Sequence, residues 1–226
     1  MTTFLNGCKR LRSESDMTGT GPASVEGQSG ESLLVVEWYQ SAYEDIQNQQ
    51  PMWKFLQSEF TFQTISSQQA YTPTEAGLPN LNLWGTGKYG GIRVYTAISD
   101  EQYLTYIPWD VFRRTYLFGT ARAVTGKPTY FSIKPDKSII FYPIPDAVYT
   151  IDGEYFKKAV ALDGNTDEPI FPSQFHMIIV WRALMLYGAF DAASERYSHG
   201  QNEYKKLLGK LMSDQGPRVS WGKPLV

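Results

Sequence analysis

Between residues 172 and 212, apolar side chains recur at three- and four-residue intervals: Phe175, Ile178 and Ile179, then, past Arg182, Leu184, Met185 and Leu186. That spacing predicts helix rather than strand. Pro172 suits a first helical turn, with Ser173 and Gln174 placed where unpaired N–H groups need partners. Beyond Gly188 the stretch becomes polar, yet Tyr197, Tyr204, Leu207, Leu208 and Leu211 keep a stripe. Two consecutive helices, or one bent near Gly188 to Asp191, should therefore run to just before Gly216-Pro217. The N-terminal part offers a partner for them. Residues 3–13 put Phe4, Leu5, Cys8 and Leu11 on one helical face with Thr3 as cap, and residues 31–50 turn Val35, Trp38, Tyr39, Ala42 and Ile46 inward, with Ser32 as the expected cap. Pro51 interrupts, and Trp53 and Leu56 anchor a further short turn.

At Glu59 the period changes to two. EFTFQTI alternates Phe60, Phe62 and Ile65 against polar residues, and SSQQAYTPT reads as a turn with a second strand through Tyr71. Residues 77–91 read as an irregular glycine-rich loop, followed by strands at 92–96 and 102–107. Pro108 opens a helical insert at about 108–118, closed by Gly119. Three more strands are expected at 129–133, 138–142 and 148–157, with Pro135-Asp136 and Pro145-Asp146 supplying the hairpin turns between them.

The order helices, strands, helices predicts an α+β protein, an N- and C-terminal α-helical bundle carrying an inserted antiparallel β-sheet or barrel region. The expected divisions are 1–58 for the first bundle helices, 59–158 for the β region, 159–212 for the last helices, and 213–226 for an extended tail. That tail has no period, and its Trp221, Pro224, Leu225 and Val226 would be unusual in a solvated segment. A neighbouring surface is expected to receive it.

Composition narrows the function. The chain has 226 residues, 42% of them hydrophobic, with 15 Tyr and 6 Trp, which suits a folded protein with aromatic-rich interfaces. A formal net charge of −2 provides no overall basic field for gripping nucleic acid. The single cysteine, Cys8, excludes an internal disulfide and reads as a small buried hydrophobe. Phe4-Leu5 is followed at once by polar residues, so no signal peptide is expected, and the apolar run Met177 to Trp181 is far shorter than the roughly 20 residues of a membrane span.

No motif with catalytic mechanics emerges. GTGKYGG at 85–91 lacks the spacing and the Ser or Thr of a phosphate-binding loop. DGNTDE at 163–168 begins like a calcium loop but lacks its sixth-position glycine and its closing glutamate, so a solvated turn is the better reading. His176 sits beside Met177 and Ile178 as a core histidine would. Asp152 and Glu154 share a strand face, the minimum for an acid–base pair and equally ordinary in any sheet. Arg113, Arg114, Arg122 and Lys127 form the one local basic concentration, either a solvated helix face or a contact for a neighbouring subunit or for DNA phosphates in a channel.

Taken in order, FLNGCKRLRSE, YEDIQNQQPMWKFL, FTFQT, QQAYTP, FRRTYLFG, GKPTYFSIKPDKSIIFYPIPDAVYTIDGEYFKK and FPSQFHMIIVWRALMLYG resemble a tailed-bacteriophage head-to-tail adaptor, the connector protein beneath the portal. The resemblance implies a non-enzymatic virion neck protein with no cofactor or metal, assembled in the bacterial cytoplasm. It implies a dodecameric ring on the portal protein that surrounds the DNA channel, offers its other face to a tail, nozzle or tail-terminator protein, and passes DNA at ejection without binding it specifically. It also implies that Arg218, Trp221, Pro224, Leu225 and Val226 reach the portal or an adjacent subunit. Two rival readings are another neck or tail-completion ring protein and, from a different class, a glycan-binding or glycan-active β module using Asp152 and Glu154.

Overall fold

In a computed structural model, described for residues 3–86 and 91–217, helices α1 (Phe4–Glu14) and α2 (Gly30–Asn48) precede the strands. The strands are β1 (Gln57–Gln63), β2 (Ala70–Tyr71), β3 (Leu81–Trp84), β4 (Arg93–Tyr95), β5 (Gln102–Tyr103), β6 (Thr105–Tyr106), β7 (Tyr130–Ile133), β8 (Ile139–Tyr142) and β9 (Thr150–Lys157). Helix α3 (Trp109–Tyr116) falls between β6 and β7, and α4 (Met177–Phe190) and α5 (Ser194–Gln215) follow β9. The chain is α+β and divides into two units, Met1–Leu56 with Ala159–Val226, and Gln57–Lys158.

In the helical unit Thr3 caps α1 as expected, its hydroxyl accepting from the Asn6 N–H, and Phe4, Cys8 and Leu11 are buried. Helix α2 buries Val35, Tyr39, Ala42 and Ile46. Its start differs from expectation: Ser29 holds the cap position and Ser32 lies inside the helix, because Gly30 at φ +58° turns the chain into the helix earlier than a residue with a side chain would. The Trp53 indole N–H reaches the Ile46 and Gln47 carbonyls, satisfying the last turn of α2.

The C-terminal stretch forms two helices, broken at Asp191–Ala193 with Ala192 at φ +53°. Helix α4 is the centre of this unit, buried on nearly every side by α1, α2 and α5. A Cβ on Gly188 would stand 2.8 Å from the Tyr197 backbone nitrogen and one on Gly200 would stand 3.0 Å from the Trp181 carbonyl oxygen, so glycine on each helix lets α4 and α5 approach this closely.

The β unit is a sandwich of two sheets around one aromatic core. In the first sheet β9 is flanked by β1 on one side and by β3 and β4 on the other, with β5 beyond β4; the second runs β2-β8-β7-β6. Phe60, Phe62, Val94 and Ile151 from the first meet Tyr71, Phe131, Ile139 and Phe141 from the second, with the Phe62 and Tyr71 rings 5.3 Å apart. The region is not purely antiparallel: β6 and β7 pair in parallel, which the crossover through α3 permits. Residues 81–84, read from the sequence as loop, form β3 on β9. Ile65 is 60% exposed and Thr64 is buried instead, since strict alternation from Phe60 and Phe62 lands on the even position. The Pro135-Asp136 turn forms as expected, the Asp136 carboxylate accepting from the Ser138 N–H and Lys137 at φ +67° completing the reversal. Pro145-Asp146, by contrast, makes no hairpin, because β8 and β9 belong to different sheets and the chain crosses between them there.

Candidate functional site

Successive residues of a strand face opposite sides of its sheet, so Tyr130 and Tyr142, next to core residues Phe131 and Phe141, lie on the outer face of the second sheet. Tyr116 of α3 covers them, its ring 4.2 Å from that of Tyr142 and 5.4 Å from that of Tyr130. Phe112, fully buried between Trp109 and Tyr116, is the other anchor. Pro108 presets the turn into α3, and its carbonyl accepts the Phe112 N–H. One short helix is thus held by aromatic rings on one side while its other side faces solvent.

On that side Trp109, Leu117 and Phe118 line a groove of about 770 Å³ together with Asp110, Arg113 and Arg114. Phe118 is 77% exposed, an apolar ring that folding alone leaves uncovered. Arg114 pairs with Asp110 one turn back at 3.3 Å, a contact between two exposed groups worth little to stability. Of the four basic residues singled out in the sequence, Arg113 and Arg114 share this groove, and Arg122 is exposed on the 3-10 turn Gly119–Ala123 that follows. Lys127 is engaged differently: its ammonium holds the Asp100 carboxylate at 2.9 Å and the Asp100 carbonyl at 2.5 Å. The Ala97 N–H, then Lys127 and the Thr96 N–H, keep that carboxyl well below the usual carboxylate range.

The outer face of the first sheet carries a second, polar feature. Glu59 and Thr61 of β1 stand opposite Glu154 and Asp152 of β9, beside Arg93 of β4 and Tyr103 of β5, around a cleft of about 350 Å³. Arg93 grips both oxygens of Asp152, at 2.9 and 2.5 Å, and reaches Glu101 at 2.9 Å. The Gln57 amide donates to Glu154. With both Asp152 oxygens in a guanidinium fork, neither is oriented to exchange a proton with a ligand, which opposes the acid–base role considered for it.

The remaining sequence candidates have structural duties. The Asp167 carboxylate of the calcium-like loop accepts the N–H groups of Asp163 and Gly164, and Asn165 is bonded to Ser24 and to the Val25 N–H. Among the described residues no group of His, Cys, Asp or Glu is arranged to hold a metal ion. His176 is buried with Nε2 against the Phe171 carbonyl at 2.9 Å. Burial pushes the Cys8 thiol up to about 12, so it stays protonated and inert. No helix among the described residues is long and apolar enough to cross a membrane. Arg218, Trp221, Pro224, Leu225 and Val226 lie outside the described residues, as does most of the GTGKYGG stretch.

Sequence reading found Arg113 and Arg114 but missed Phe118, Tyr103, Glu59 and the Arg93 fork. The usable signal was an aromatic residue immediately before the helix-ending Gly119, where nothing in the local period asks for burial. In comparison with known proteins, the family model described as SU10 adaptor protein matches residues 12–225. No curated protein matches the chain.

Proposed function

The chain belongs to the SU10 adaptor protein family, a phage head-to-tail adaptor family, and on that premise we propose that copies of it form a ring, dodecameric in the assembled neck, seated on the capsid portal and presenting its free face to the tail. The observation that carries this reading is the extent of the family match, from within α1 to beyond the end of α5. The role is structural, not catalytic. A conduit for DNA should not grip its cargo, because each neutralised phosphate adds affinity, and a net charge of −2 suits that requirement. A ring needs two different patches that meet between neighbours, and the solvent side of α3 and the outer face of the first sheet differ in the required way.

The segment Arg218 to Val226 supplies the contact with the portal or the adjacent subunit, because its aromatic and aliphatic residues have no helical or strand period of their own to bury them. Sedimentation of the full chain, alone and with portal rings, tests the reading. The wild-type chain is expected to co-sediment with portal rings, and the chain lacking Arg218 to Val226 is expected to fold but to remain behind. Absence of association by the wild-type chain overturns the adaptor reading; full association by the shortened chain overturns the assignment of the segment.

A further inference from the structure

The α3 groove calls for an occupant. Its walls, Trp109, Leu117 and the largely exposed Phe118, are apolar, and its rim carries Arg113 and Arg114, with Arg122 exposed on the next turn and a single acid, Asp110. An apolar floor with an arginine rim selects a partner that offers an aromatic or aliphatic side chain ringed by carboxylates.

The outer face of the first sheet has that composition. Tyr103 is 70% exposed there, and Glu59, Glu154, Asp152 and Glu101 surround it with Arg93 as the one cation among the described residues. Glu59 and Glu154 are also direct cross-strand partners, an arrangement that costs stability when two like charges face each other. Among the described residues neither is within ion-pair distance of a cation, since Arg93 is occupied by Asp152 and Glu101. A sheet that retains this conflict gains from a cation brought from outside. The two surfaces lie on opposite outer sides of the sandwich, α3 over the second sheet and the carboxylates on the first. One copy therefore cannot join them within itself, whereas successive copies can, head to tail.

We propose that the α3 groove of one copy takes Tyr103 of the next, with Arg113, Arg114 and Arg122 against Glu59 and Glu154, and that this contact closes the ring. The inference rests on the adaptor reading and names the surfaces that reading leaves open. Residues 218–226 are a poorer occupant of the same groove, since they carry Arg218 and Lys223 and no acid.

The test is a charge exchange in the full chain, with assembly on portal rings followed by sedimentation and circular dichroism as the check on folding. One variant combines Arg113→Glu, Arg114→Glu and Arg122→Glu; the other combines Glu59→Lys and Glu154→Lys. Each alone sets like charge against like and is expected to need at least about tenfold more protein to assemble. An equimolar mixture restores opposite charge at every contact and is expected to recover wild-type assembly. Phe118→Ser, at an exposed position that the fold does not use, is expected to weaken assembly by itself. Wild-type assembly by either charge variant or by Phe118→Ser overturns the contact, as does a mixture of folded variants that stays deficient. Loss of DNA binding by the arginine variant with assembly intact would assign the groove to nucleic acid and overturn it too. A wild-type chain that never assembles on portal rings removes the adaptor reading and this contact with it.

Discussion

Gly7 of α1 faces the phenol of Tyr39 on α2 with no room for a methyl group: a Cβ at position 7 would overlap Cζ and the hydroxyl oxygen of that ring. The ring is fully buried and its hydroxyl has no hydrogen-bond partner among the described residues. Burial, the main cause, keeps that hydroxyl protonated. Gly7→Ala should therefore destabilise the chain by about 1–3 kcal/mol, the usual cost of overpacking. Tyr39→Phe removes the orphaned hydroxyl and part of the obstruction, so it should raise the thermal midpoint and reduce the cost of Gly7→Ala in the double variant. Thermal denaturation of the four proteins checks this; additive effects would mean that the two sites do not press on each other.

The guanidinium fork on Asp152 separates a structural protein from a glycan-active one. Asp152→Asn is expected to leave portal association unchanged to within about twofold, because Asp152 is engaged by Arg93 within its own sheet and the contact proposed between copies uses Glu59 and Glu154, while the substitution removes the acid–base chemistry at position 152. A glycoside hydrolase that used Asp152 would lose its turnover with the same substitution. Sedimentation with portal rings and a glycan-release assay on the same samples distinguish the two.

Acid should destabilise the chain through carboxylates that accept backbone N–H groups. The Gly164 and Asp163 N–H groups hold the Asp167 carboxyl below its usual range, the Ala97 N–H does the same for Asp100, and Thr72 does so for Glu75. A folded-state value below the unfolded one contributes stability that is present above the unfolded value, about 4, and is lost as pH falls through the folded one. The thermal midpoint should be flat from pH 7 to about 5 and decline below about 4. Asp167→Asn, which has no charge to lose, should start from a lower midpoint and decline less steeply over the same interval. An equal decline in both proteins would remove Asp167 from the account.

Long periodic stretches were legible from sequence because burial there follows backbone geometry. The spacing puts Val35, Trp38, Tyr39, Ala42 and Ile46 on one face of α2; four of the five are buried and Trp38 is half-buried. The Pro135-Asp136 reversal was legible because proline and aspartate act on their own backbone. What escaped depends on distant partners. Strand β3 looks like loop until β9 lies beside it, and the parallel pairing of β6 with β7 follows from where α3 sets the chain down. At the candidate site the basic pair Arg113 and Arg114 was visible as composition, whereas the engagement of Lys127 by Asp100 across 27 positions was not. Phe118 could not be told from a core phenylalanine until the rings of Phe112 and Tyr116 were seen to fill the space beneath α3 without it.

The β sandwich begins with β1 and ends with β9, and Gln57 stands directly across from Phe156. The polypeptide thus goes in and comes out through a single seam. To the flanking helices, the whole of Gln57–Lys158 counts as one hairpin loop whose ends are already tied, and enlarging such a loop costs only about 0.6 kcal/mol for each doubling of its length. A lineage could lengthen or shorten this cargo at small entropic cost to the helices that carry it, so the two are free to diversify at different speeds.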